Sequence, residues 1–327
     1  MLKKLLPETN IELVFDKSNL SNLAKYFDLD FPVSSFDERT QYFENLLSLS
    51  RRSLGLAHCI QHNTAAKLFV QYSDCHEALS RVNVPFDQII GAYSNTKSTD
   101  DFSITNTHIT GSKKWLSNLE QADYVVAHAL KDGVSHYVYL DLAKISHSID
   151  YSWFTPIGMK MARPGALLIH HQPIPADCVL GPINDPKFAE HGNFASYCFI
   201  TNHLGIIQQL FQDIKDYAVK SDCGAEFNLG KIEIDICALT MMWQNNLVTL
   251  ELKSPVPDEF WHRRNTQLAL SKKTLISILQ LILEIGVSYY IDAESQFSER
   301  FRDALNYTSH MHPLYRFSKN QHLIRFP

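Results

Sequence analysis

Two short stretches hold residue types that could do chemistry. In the first, Trp115 and Ser117 close the run Ile109-Thr-Gly-Ser-Lys-Lys-Trp-Leu-Ser-Asn118. The indole offers a flat apolar face and the serine a hydroxyl donor, although a strand tryptophan by itself more often fills a core. In the second, Asn306-Tyr-Thr-Ser-His-Met-His-Pro313 brings His310 and His312 together. A neutral imidazole can donate a hydrogen bond without burying an anion. The bland alternative is a histidine interacting with a helix carboxy terminus. His-x-His in a loop is too common to favour a metal, so no metal site is expected.

Other chemically capable residues make weaker cases. His170 and His171 alternate across a strand, so at most one faces inward. Six cysteines (Cys59, Cys75, Cys178, Cys198, Cys223 and Cys237) form no C-x-x-C pair. They read as reduced cytosolic thiols, not as a zinc site or disulfide framework. Arg163, in the turn Ala162-Arg-Pro-Gly165, reads as an exposed charge. Glu299-Arg300 and Arg302-Asp303 read as exposed charged pairs that orient the last helix.

The elements that must position these residues follow from periodicity. From Phe102 to Asn118, in Tyr124-Val-Val-Ala-His-Ala-Leu130 and in Tyr137-Val-Tyr-Leu140, the pattern has period two and is rich in β-branched and aromatic types. Asp132-Gly133 supplies a hairpin turn between the last two runs. Gly165-Ala-Leu-Leu-Ile-His170 adds a strand that stops at Pro173 and Pro175. These runs predict a small antiparallel sheet or barrel.

Helical spacing surrounds that block. Leu20, Leu23 and Tyr26-Phe27, then Phe43, Leu46-Leu47 and Leu54, recur at three- and four-residue steps before it. After Pro182, one stripe runs from Phe199 to Tyr217 and another from Leu229 to Leu252. A Pro-containing break at Ser254-Pro-Val-Pro257 precedes a long helix over about residues 265–292. The fold class is α+β. Residues 1–90 form a short helical domain, 91–185 a central β domain and 186–327 a helical bundle.

With 327 residues and 45% hydrophobic content the chain can bury a core, and its net charge of −5 argues against nucleic acid. Glu8, Glu12 and Asp16 interrupt any signal-like apolar region, and Gln280 and Glu284 interrupt the longest greasy run. The expectation is a cytoplasmic protein without a membrane span.

Three segments in order carry a family resemblance. They are Gly91-Ala-Tyr-Ser94, Ile109 to Asn118 with Ala122-Asp-Tyr124, and Gly158-Met-Lys-Met-Ala-Arg-Pro-Gly-Ala166 running into Ile174-Pro-Ala-Asp-Cys-Val-Leu-Gly181. Together they resemble the flavin-binding middle domain of the acyl-CoA dehydrogenase superfamily. Weaker matches at Leu204-Gly205, Tyr217-Ala218 and Glu299-Arg-Phe-Arg-Asp-Ala304 extend the likeness into the bundle. The resemblance implies a flavin, with Trp115 packing near its ring and Ser117 bonding the ring edge. Tyr93 and Ser94 would line the other edge and the ribityl chain, although Asn95 and Thr96 stand where the family has an acidic residue and a proline.

Departures from the family pattern direct the functional expectation. The resemblance puts a dehydrogenase's Glu base either eight residues past the Asp of Arg-Asp-Ala or ten before the Gly of Leu-Gly. Those positions are Met311 and Ala195. The tail instead resembles the superfamily's monooxygenase branch, typified by dibenzothiophene monooxygenase. There a separate reductase supplies reduced flavin, and His310, with His312 second, would donate a hydrogen bond to the activated oxygen. An Arg and a Phe that grip the dinucleotide correspond to Ser221 and Gly224, and a later Gln and glycine pair to Leu283 and Gly286. Losing such an Arg removes about 1.5–3 kcal/mol. FAD bound weakly, FMN instead, or no flavin are the open outcomes.

The expected function is therefore a flavin-dependent oxidoreductase, a two-component monooxygenase before a dehydrogenase, acting on an acyl-CoA or an aromatic compound. The competing expectation is a degenerate binding or scaffold protein, or a dehydrogenase with an unrecognised base. A homodimer or homotetramer is expected through the bundle, where Leu268, Leu275, Ile278-Leu279, Ile282-Leu283 and Ile285 make a wide apolar stripe.

Overall fold

The structure is a computed structural model that describes Leu20, Leu23, Phe27 and residues 36–73, 75, 90–94, 101–153, 158–183, 185–221, 226–249, 258–284 and 296–310. Helix α1 spans Phe36–Arg52, with Asp37 and Glu38 in its first turn and Arg51 and Arg52 in its last, each charge opposing the helix dipole. Ser53 then caps α2, Leu54–Tyr72, by accepting the N–H of Leu56. From Leu54 to Val70 every residue of α2 except His58 is buried. A helix covered on all sides belongs at the centre of the molecule.

Eight strands follow: β1 Gly91–Ser94, β2 Ser103–Thr105, β3 His108–Leu116, β4 Tyr124–Lys131, β5 Val134–Asp141, β6 His147–Asp150, β7 Gly165–Pro173 and β8 Val179–Pro182. They form one sheet in the order β6-β7-β3-β2-β4-β5-β8, with β1 also on β4. Positive φ at Asp132 and Gly133, 51° and 78°, makes the expected two-residue hairpin between β4 and β5. The sheet is not wholly antiparallel, because β1 and β2 both run parallel to β4. Parallel neighbours need a long connection, and here the chain passes through β3 before β4 joins them.

The helices after the sheet are α3 Ala189–Ser221, α4 Glu226–Thr249, α5 Asp258–Glu284 and α6 Gln296–His310. Helix α5 starts seven residues earlier than the apolar pattern suggested. Residues 254–257 and 285–292 lie outside the described part. One apolar cluster joins Phe43, Leu46 and Ile60 of the first helices to Phe194, Leu210, Leu239 and Ile278 of the later ones. A second packs Ala65, Ala66, Phe69 and Val70 of α2 on Tyr93, Tyr124, Val126 and Tyr137 of the sheet. A third fills the sheet's other face with Ile109, Leu116, Val125, Val138, Leu167 and Ile169. Helix α3 crosses α1 tightly at Gly205, where a Cβ would lie 2.8 Å from the Leu47 carbonyl oxygen.

The charged pairs expected on α6 are rearranged. Arg300 bonds Asp213 on α3 at 2.6 Å, and Asp303 is buried, accepting the backbone N–H of Met159. Both residues thus find partners on neighbouring elements, and these tie the last helix to the rest of the fold. His170 and His171 are both exposed, because left-handed backbone at His171 (φ 46°) breaks the alternation; His171 stacks on His108 at 4.2 Å.

Candidate active site

Strand β3 ends irregularly. Its register with β7 shifts between Lys113 and Leu116, and Trp115 has φ 64°. A left-handed conformation costs a bulky residue about 1–2 kcal/mol, and such strain gathers at functional sites. The kink leaves Trp115 half-buried, edge-on to Trp153 at 4.8 Å, and carries Ser117 into the interior at 5% exposure. Asn118 follows, also left-handed at φ 65°. Its buried carboxamide has no hydrogen-bond partner at either atom among the described residues.

Helix α2 provides the facing wall. The His58 Nε2 stands 3.1 Å from the Ser117 Oγ. One turn on, the His62 Nδ1 lies 2.9 Å from the Tyr93 carbonyl oxygen. A carbonyl only accepts, so Nδ1 of His62 carries its proton and Nε2 a lone pair. Burial holds His62 down to about 4, against the raising effect of that bond, so it stays neutral. The two imidazoles touch, with ring centres 4.1 Å apart. Asn63 accepts the N–H of Gly91 at 2.8 Å. None of these three α2 side chains figured in the sequence reading. The available signal was the polar run His58, Gln61, His62, Asn63 and Thr64 in a segment otherwise fit for a core.

Helices α3 and α6 complete the surround. The Asn202 Nδ2 donates to the Gln61 Oε1 at 2.8 Å, and the Tyr307 hydroxyl donates to the same oxygen at 3.3 Å. Asn202 Oδ1, fully buried, has no partner among the described residues. The Tyr307 ring lies 5.4 Å from His58, 5.4 Å from Phe199 and 5.3 Å from His203. Burial keeps the phenol of Tyr307 far above its usual range and lowers His203 to about 4. Of the tail segment, Asn306 and Tyr307 are both buried. His310 is the last residue of α6, with its side chain outside the described part, as are all of Met311 and His312.

The strand residues divide. Tyr93 stacks on Phe69 at 5.2 Å and is tied to the α2 wall through its carbonyl. Ser94 closes β1, and its side chain lies outside the described part. Lys113 is wholly buried and, after burial itself, helps lower His128 to about 3. Arg163 is exposed, lying over the Tyr151 ring at 4.1 Å. Ala195 sits on α3. Among the described residues Asp303 is the only buried carboxylate; burial raises it to about 7. No group of three or more His, Cys, Asp or Glu among them could hold a metal, and no helix among them is long and apolar enough to cross a membrane.

These residues fit the ring of a flavin. Trp115 offers an apolar face, Ser117 a buried hydroxyl, and Asn118 a buried carboxamide with bonding capacity left, which matches a planar ligand with a polar edge. For the dinucleotide half, Ser221 ends α3 with its side chain undescribed, Leu283 lies on α5 likewise, and Gly224 and Gly286 fall outside the described residues.

No family model matches the sequence, and no curated protein sequence matches it. Solved structures do. Butyryl-CoA dehydrogenase from Megasphaera elsdenii superposes with a TM-score of 0.79 at 14% identity, over 99% of this chain and 95% of that one. The HsaA monooxygenase from M. tuberculosis gives 0.74 at 13% identity, over 94% and 91%. XiaF from Streptomyces sp., solved with FADH2 and glycerol, gives 0.73 at 13%, over 93% and 86%. At such identities the likeness is one of architecture, and by that measure this chain has the acyl-CoA dehydrogenase fold.

Proposed function

We propose that this chain is a flavin-dependent oxidoreductase, and within that class a two-component monooxygenase that takes reduced flavin from a separate reductase. The observation that carries the monooxygenase reading is the state of Asp303. It is the one buried carboxylate among the described residues, and its Oδ1 is held by the Met159 N–H. Removing an α proton from an acyl thioester needs a carboxylate base free to act. Around Ser117 stand imidazole and phenol groups instead.

When bound, the flavin supplies the electron transfer to oxygen and substrate. The chain's own residues do the rest. Ser117 would bond the ring edge and Trp115 would flank the ring, with Tyr93 and Ser94 on the strand that would line its other edge. His58 holds the Ser117 hydroxyl, and Tyr307 with the spare Asn202 Oδ1 gives a substrate hydrogen-bonding groups. His310, and after it His312, would supply the hydrogen-bond donor to oxygen. FAD is the first choice of flavin and FMN the second, with an aromatic compound or an acyl-CoA as substrate. The free thiols Cys59, Cys75, Cys178, Cys198 and Cys237 accord with the cytoplasm.

The chain works as a homodimer or homotetramer. Leu275 and Ile278 of α5 are buried within the subunit, so the contact belongs to α4, where Ile234, Met241 and Val248 are 71%, 64% and 68% exposed at seven-residue spacing. Glu233 pairs with Lys215 of α3 and Asp235 with Lys273 of α5, so Ile234 between them points away from both neighbours, toward a second copy.

The test is to supply anaerobically reduced flavin and then oxygen with candidate aromatic substrates. Oxygen-dependent substrate turnover is expected. Protein that binds neither oxidised nor reduced flavin saturably would eliminate this reading. The second reading, a binding or scaffold protein, is favoured by Ser117 already being bonded to a protein imidazole. Any oxygen-dependent turnover contradicts it.

A further inference from the structure

We infer that Cys75 and Cys178 form a reversible dithiol–disulfide pair, oxidised by peroxide, that fastens the end of α2 to the start of β8. This inference stands apart from the flavin reading.

The fold brings the two cysteines together from distant parts of the chain. Cys75 lies just past α2, and its thiol donates to the Asp177 carbonyl oxygen at 3.7 Å, across 102 positions of sequence. That carbonyl is bonded to the nitrogen of Cys178, which ends the short turn Ala176–Cys178 and leads into β8. A carbonyl oxygen sits about 3 Å from the next Cα, so the Cys75 sulfur is one peptide unit from Cys178. Turning both side chains about χ1, with a small shift of the turn, closes a bond that needs Cα atoms roughly 4.4–6.8 Å apart.

A second observation agrees. Both thiols lie near the Tyr139 phenol, which is pushed well above its ordinary range by burial first, then by Asp141, Cys75, Cys178 and Asp123. Both also belong to one apolar cluster, Cys75 within it and Cys178 packed against it.

Their burial differs in the sense the chemistry needs. Cys178 is half-buried and Cys75 buried, so peroxide meets Cys178 first. The Cys178 thiolate attacks one peroxide oxygen: an S–O bond forms, the O–O bond breaks, and the departing hydroxide takes a proton to become water. The Cys75 sulfur then displaces the hydroxyl group of that sulfenic acid, making the S–S bond and a second water. Two thiols give up two electrons, and peroxide becomes two waters. Cys59 and Cys198 do not compete, because burial pushes both thiols well above their ordinary range and keeps them protonated.

The experiment treats the reduced full chain with hydrogen peroxide, alkylates the remaining thiols and maps linked peptides after non-reducing digestion. A Cys75–Cys178 link is expected, reversed by dithiothreitol. The linked form should melt about 5 °C higher, because the bond closes a long loop of the unfolded chain. In Cys75→Ser the reaction should stop at a sulfenic acid on Cys178, trapped by dimedone, whereas Cys237→Ser should link as wild type does. Circular dichroism identifies the variants that fold, and the wild-type peptide map decides the matter without them. Cys75 and Cys178 both alkylated after peroxide, or either linked to Cys237 in its place, overturns the inference. So does a link that forms only in urea, or one that leaves the melting midpoint unchanged.

Discussion

The carboxylate of Asp303 accepts the backbone N–H of Met159, tying α6 to the loop ahead of β7. Gly158 fits so closely beneath it that a Cβ would lie 2.3 Å from the Arg302 carbonyl oxygen. Burial raises Asp303 from 3.8 to about 7, with Glu299 adding to the rise while the Met159 bond, Arg302 and Lys160 oppose it. In the unfolded chain the group titrates near 4, so between about pH 4 and 7 the folded state holds the extra proton. Stability from this group is complete below pH 4 and is lost as pH rises through 7, by at most about 4 kcal/mol. Asp303→Asn keeps an acceptor for Met159 without the ionisation. Denaturation midpoints at pH 5 and pH 8 should show the variant gaining on wild type at the higher value.

Trp115 gives a backbone test. Its φ of 64° suits glycine and strains any side chain. Trp115→Gly should therefore be as stable as Trp115→Ala or more so, by about 1 kcal/mol, reversing the order usual in a strand. Urea melts of the two variants decide it; alanine ahead of glycine would count against the kinked end of β3. Both variants should lose flavin affinity.

Two ion pairs should differ in value. Arg300–Asp213 is short, and both side chains are about four-fifths buried. Asp213→Asn should cost about 1–3 kcal/mol, because Arg300 keeps a partly desolvated charge. Lys215–Glu233 is solvent-exposed, and Glu233→Gln should change stability by less than about 0.5 kcal/mol. Thermal melts in low and high salt measure both.

Met241 sits at the middle of the outward stripe on α4, 64% exposed. Met241→Glu puts a charge into any contact formed there and should convert an oligomer to monomer by sedimentation velocity. A variant with wild-type mass would move the contact to another face.

Much of this architecture was legible because local pattern and final environment agree. The period-two runs became β3, β4, β5 and β7, and Asp132-Gly133 became the hairpin. What stayed hidden depends on contacts far apart in the chain. His58 meets Ser117 across 59 positions and His62 meets Tyr93 across 31, so neither histidine stands out from a run of helical residues. Trp115 reads as an ordinary strand residue, since nothing in its neighbours announces a left-handed backbone. Neighbouring charges on α6 suggested local pairs, but packing supplied Arg300 with Asp213 and Asp303 with Met159.

Helix α2 is sewn to β1 by consecutive residues: His62 donates to the Tyr93 carbonyl and Asn63 receives the Gly91 amide. Sliding the helix by a single residue would strip both stitches at once and strand polar groups away from water. The spacing between the His58 ring and the end of β3 is consequently governed by main-chain anchorage, and trimming the apolar side chains nearby should leave that gap intact.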